Sequence, residues 1–189
     1  AGSTFETTSI TAQSGTAAAT IDVTNGGVLR ATAGGLTLRK PSPAGSATTN
    51  LNVTGAGSLV DLAGGILASS TQAASVSNIT ISGGGTVRSG LLNTIGNLTG
   101  NTTASTITVT GAGSNWTSTG TLLLRNAQLS VLNGGAASFS SAQIGTIAQG
   151  ANVLVSGTGS TFTTTGTLTV GSTGANASGV LTITDGAQV

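Results

Sequence analysis

One short pattern returns along this chain and limits what it can fold into. It reads Ile107-Thr-Val-Thr-Gly-Ala-Gly-Ser-Asn-Trp-Thr-Ser-Thr-Gly-Thr-Leu-Leu-Leu124 in one place and Val153-Leu-Val-Ser-Gly-Thr-Gly-Ser-Thr-Phe-Thr-Thr-Thr-Gly-Thr-Leu-Thr-Val170 in another. Residues 51–62 repeat its first half. Weaker copies begin at Ile21, Ile79, Leu129 and Leu181. Successive copies are offset by about 20 to 30 residues, the range of a solenoid coil and too short for a propeller blade.

Each copy opens with alternating apolar and polar residues, the period of a β-strand. The apolar anchors are Ile21 and Val23, Leu51 and Val53, Ile79 and Ile81, Ile107 and Val109, Leu129 and Val131, Val153 and Val155, and Leu181 and Ile183. Ile, Val and Thr also favour the pleated surface. A glycine corner follows, where positive φ costs little and the chain can turn. The corner glycines are Gly26, Gly55, Gly57, Gly83, Gly85, Gly111, Gly113, Gly134, Gly157, Gly159 and Gly186. Next comes a second short strand such as residues 115–118, then a Thr-Gly-Thr corner and a third strand such as residues 122–124. Three strands and three corners make one triangular coil.

The expected fold is therefore all-β, a right-handed parallel β-solenoid in which coils stack at about 4.8 Å and satisfy one another's backbone groups. Seven or eight coils give a rod of roughly 35–40 Å. The antiparallel sandwich, which Asn-Gly and Asp-Gly corners also suit, predicts alternating strand roles and not the same strand-corner-strand motif returning in register. Coils are assigned to residues 19–189, continuing or stacking beyond Val189. Residues 1–18 match the repeat least and are assigned to an N-terminal cap or docking strand.

Charge narrows function. Only 5% of residues are charged and the net charge is +1, yet mean hydropathy is +0.33, which excludes the disorder signature. Nucleic-acid binding needs clustered Lys and Arg, and only Arg39 and Lys40 are adjacent among Arg30, Arg39, Lys40, Arg88 and Arg125. No apolar run reaches the length of a membrane span. The absence of His and Cys removes the triad base, zinc imidazoles and thiolate ligands; no cofactor is expected.

The acids are Glu6, Asp22, Asp61 and Asp185. Glycoside hydrolysis needs two carboxylates facing one another across a bond. Asp22, Asp61 and Asp185 fall on different edges by register and read as solvated or turn-capping groups. Trp116 and Phe162 share one repeat position with Val60 and read as fillers of one internal ladder, against the alternative of a sugar-stacking aromatic. An ice-matching face would require ranked Thr on successive coils, and Asp22, Asn52 and Ser130 interrupt that rank. Asn-x-Ser/Thr sequons stand at Asn52, Asn78, Asn97, Asn101, Asn115 and Asn176.

The string Val/Thr-Gly-x-Gly-Ser-x-aromatic-x-x-x-Gly-x-Leu, carried best by residues 107–124 and 153–170, resembles the β-helical repeat of bacterial type V secretion (autotransporter) passengers. It also resembles the repeat of surface proteins with a PEP-CTERM sorting signal. The resemblance implies a secreted or surface-displayed bacterial rod. The expected function is accordingly a non-enzymatic extracellular structural protein: a stalk, an adhesin rod or a filament subunit. Its partner is expected to be itself, stacked head to tail through open solenoid ends. The alternatives are an adhesin that binds host or matrix glycans and, further off, a polysaccharide-degrading β-helix enzyme.

Overall fold

The computed structural model describes residues 2–15, 17–39, 47–68, 75–96, 104–146, 150–172 and 178–189. Lys40 and the sequons at Asn97, Asn101 and Asn176 lie outside the described residues.

Every element among the described residues is a strand. The winding begins with β1 (Thr4–Thr7) and β2 (Ile10–Gln13). Complete coils follow: β3 (Ala19–Thr24), β4 (Val28–Ala31), β5 (Leu36–Arg39); β6 (Ala47–Thr54), β7 (Leu59–Leu62), β8 (Ile66–Ala68); and β9 (Ser75–Ser82), β10 (Thr86–Ser89), β11 (Asn93–Ile95). The rest are β12 (Ser105–Thr110), β13 (Asn115–Ser118), β14 (Thr121–Leu124); β15 (Ala127–Leu132), β16 (Ala136–Phe139), β17 (Ser141–Ile144); and β18 (Ala151–Ser156), β19 (Thr161–Thr164), β20 (Leu168–Val170), with β21 (Gly179–Thr184) beyond them.

Each third strand hydrogen-bonds to the same strand of the coils before and after it. Three seven-stranded parallel sheets result: β3-β6-β9-β12-β15-β18-β21, β1-β4-β7-β10-β13-β16-β19 and β2-β5-β8-β11-β14-β17-β20. The chain is a β-solenoid with three-strand coils, as the repeat requires. Along the second sheet the seven strands and the Gln188 rung beyond them span seven gaps, so the described stack is about 34 Å long at ~4.8 Å per gap.

The anchors form two inward columns in the first sheet. Ile21, Leu51, Ile79, Ile107, Leu129, Val153 and Leu181 stack in one; Val23, Val53, Ile81, Val109, Val131, Val155 and Ile183 stack in the other. From Leu51 to Val155 all are buried, while Leu181 and Ile183 sit on the end coil. Residues 4–13 belong to the same winding as the rest. Thr4–Thr7 pairs with Val28–Ala31 and Ile10–Gln13 with Leu36–Arg39, residue for residue. The division after residue 18 thus falls between β2 and β3.

The corners hold one difference. Positive φ occurs at Gly26, Gly55, Gly57, Gly83, Gly111, Gly113, Gly134, Gly157, Gly159 and Gly186, and in the third corner it is shared by Gly83 and Gly84 and not by Gly85. Gly85 is required for space: a methyl there would run into the Val53 carbonyl of the coil beneath.

Candidate functional surfaces

The second sheet carries one column of charged residues. Its outward column runs Glu6, Arg30, Asp61, Arg88, Thr117, Ser138, Thr163, so acid and base alternate over the first four coils. Arg30 Nη1 donates to Glu6 Oε2 at 3.3 Å, and Arg30 Nε donates to Asp61 Oδ2 at 3.2 Å. The guanidinium fills the space between the two carboxylates, and neither faces the other across an open cleft. Stacking places Glu6 and Asp61 on one column. Sequence reading missed this link because residues 1–18 had no place in the repeat.

The other acids are held separately. Asp22 lies on the first sheet, where Asn52 Nδ2 donates to its Oδ1 at 2.7 Å. Asp185 occupies a corner with φ of 56° and accepts from Ser156 Oγ at 2.7 Å. That bond, then one from Thr184, holds the Asp185 carboxyl below the usual aspartate range, with slight desolvation opposing. Among the described residues no group of three or more His, Cys, Asp or Glu converges on a point where a metal ion would sit.

The outward face of the first sheet is polar and largely used by the coils themselves. Asn50 Nδ2 donates to Thr20 Oγ1 at 3.1 Å, Asn78 Nδ2 to Asn50 Oδ1 at 3.0 Å, and Thr106 Oγ1 to Asn78 Oδ1 at 2.8 Å. One hydrogen-bonded chain thereby joins four coils. The adjacent rank reads Asp22, Asn52, Thr80, Thr108, Ser130, Leu154, Thr182, so no continuous Thr rank forms. Three sequons fall in described strands: Asn52 and Asn78 take part in these bonds, and Asn115 Oδ1 accepts from Thr117.

Trp116 and Phe162 lie inside, in one column with Phe5, Leu29, Val60, Val87 and Ala137. Both are fully buried, so neither ring is offered to a sugar. Phe139 was not singled out in the sequence, yet it completes the cluster from the neighbouring inward column, two residues along β16 from the small Ala137.

Two kinds of surface remain open. Leu91 and Leu92, at the corner between the second and third sheets, and Leu67 on β8 are exposed beside a shallow groove of about 420 Å³. At the stack ends the internal ladders come to the surface: Phe5 is 63% exposed at one end and Ile183 47% at the other. Among the described residues no helix is long and apolar enough to cross a membrane. No family model, no curated protein and no solved structure matches the chain.

Proposed function

We propose that this chain is a non-enzymatic structural protein of the bacterial cell surface or its surroundings: a rod that serves as a stalk, adhesin shaft or self-stacking filament subunit. The observation that carries this reading is where the polar chemistry goes. All four acidic side chains of the chain are engaged by Arg30, Asn52 or Ser156, and the Asn and Thr ranks bond from coil to coil. Polar groups that join coils strengthen a rod, and among the described residues they leave no assembled nucleophile, base or paired carboxylates. The surface location rests on the resemblance of residues 107–124 and 153–170 to autotransporter and PEP-CTERM-associated repeats.

Self-stacking is supported by the end faces, where strand edges and apolar ladder residues meet solvent. Contact between unlike ends does not close on itself and makes a filament. Sedimentation velocity over a concentration series tests the reading. Species that grow with concentration, with no limiting oligomer, support it. A single species at every concentration, together with turnover of a polysaccharide, contradicts it.

A further inference from the structure

The coils are of two classes, and the classes alternate. The residue before each strand of the second sheet runs Ser3, Gly27, Ser58, Gly85, Ser114, Gly135, Ser160, Ala187 along the stack. The serines end Gly-x-Gly-Ser corners such as residues 55–58, 111–114 and 157–160. The others end corners with paired left-handed residues: Asn25 and Gly26, Gly83 and Gly84, Asn133 and Gly134, Asp185 and Gly186.

Each Gly-x-Gly-Ser coil is joined to the coil before it in one manner. Gly26 N–H donates to Ser58 Oγ at 3.1 Å, Gly84 N–H to Ser114 Oγ at 3.1 Å, and Gly134 N–H to Ser160 Oγ at 3.0 Å. Ser58 and Ser160 pass the proton donation on to the carbonyls of Thr54 and Ser156 at 2.8 and 2.7 Å. Glycine also rests on glycine: a methyl at Gly57, Gly113 or Gly159 would stand 3.6, 3.5 or 3.6 Å from the Cα of Gly26, Gly84 or Gly134. The fourth corner of the paired left-handed class, Asp185-Gly186, has the same backbone but an exposed Gly186, whose N–H has no acceptor among the described residues.

We infer that the end face formed by β21 and the Asp185-Gly186 corner is a class-selective docking surface, and that its occupant is a β-coil bearing a Gly-x-Gly-Ser corner. The serine hydroxyl of that coil takes the Gly186 N–H and its second glycine lies on Gly186. A coil of the Asn-Gly-Gly class brings a glycine to the serine position and leaves this N–H buried without an acceptor. This inference rests on the coil-on-coil reading above and adds the identity of the coil that fits.

Two extended chains test it. Gln188 stands in the column of Thr161 and Ala136, so Val189 corresponds to Phe162 and Ala137. Appending a copy of residues 138–172 after Val189 supplies a Gly-x-Gly-Ser coil; appending a copy of residues 163–189 supplies the opposite class. Amide hydrogen exchange is read at Gly186 and along β21. The first extension slows exchange at Leu181 and Ile183 and slows Gly186 about tenfold or more, whereas the second leaves Gly186 fast. Ser160→Ala in the appended copy releases Gly186 while β21 stays protected. Equal protection of Gly186 by both extensions, or protection that survives Ser160→Ala, overturns class selectivity but leaves stacking intact. No added protection anywhere in β21 with either extension overturns the coil-on-coil reading itself.

Discussion

Trp116 meets Phe139 edge to face, with ring centroids 5.1 Å apart and planes at 75°, and Phe139 in turn lies 6.0 Å from Phe162. All three rings are buried. Ala137 leaves the room that Phe139 fills from the neighbouring column. Phe139→Ala therefore empties a site that small neighbours cannot refill, and is expected to cost about 3–5 kcal/mol. Urea unfolding followed by the fluorescence of the sole Trp measures this. A cost under about 1 kcal/mol would show that the column collapses into the space.

Asn93 breaks the aliphatic inward column of the third sheet, between Ile66 and Leu122, and is fully buried. Its Oδ1 accepts the Ile66 N–H at 2.9 Å, and its Nδ2 donates to Ser118 Oγ at 2.8 Å and to the Leu91 carbonyl at 3.3 Å. Asn93→Leu matches its neighbours in kind yet strands these groups. It is expected to destabilise by about 1–3 kcal/mol, and a neutral or stabilising result in thermal or urea unfolding refutes the assignment.

Gly120 and Gly15 separate close approach from mere turning. A methyl on Gly120 would run into the Leu91 carbonyl, whereas one on Gly15 meets nothing within 4 Å. Gly120→Ala is expected to lose about 1–3 kcal/mol or more, and Gly15→Ala to change stability by less than about 0.5 kcal/mol. Comparing the two urea midpoints checks the coil spacing at the Leu91 corner.

Asp185 makes a prediction about acid. Its folded-state pKa is depressed, chiefly by the Ser156 hydroxyl, so its contribution to stability is present above the unfolded value and is lost as pH falls through the folded one. The carboxyl is exposed and the contribution small, so titration is the readout. Carboxyl carbon NMR should find Asp185 titrating below the usual aspartate range, and Ser156→Ala should move it up. An ordinary value that does not respond to Ser156→Ala contradicts the hydrogen bond.

The strand columns were legible because the alternation of Ile107, Thr108, Val109 and Thr110 states both the period and the inward side, and equal registers then place Leu51 over Ile79. Trp116, Phe162 and Val60 share a column for the same reason. Phe139 was hidden because it sits two residues beyond the aligned position, which Ala137 holds. Asn93 has no apolar character to mark it as inward, and only the register of the third sheet places it there. The Glu6, Arg30 and Asp61 column needs residues 4–7 to be seen as a strand of the winding, and no glycine corner of the usual form announces them. The alternation of coil classes was masked by comparing copies through their strands, which are alike, and not through their corners, which differ.

The central claim is a rod that extends by adding coil on coil at its ends, and electron microscopy of the purified chain across a concentration series tests it most directly. Filaments that lengthen with concentration and give an axial reflection near 4.8 Å are the expected result. Short rods of about 34 Å, unchanged at every concentration, would contradict it.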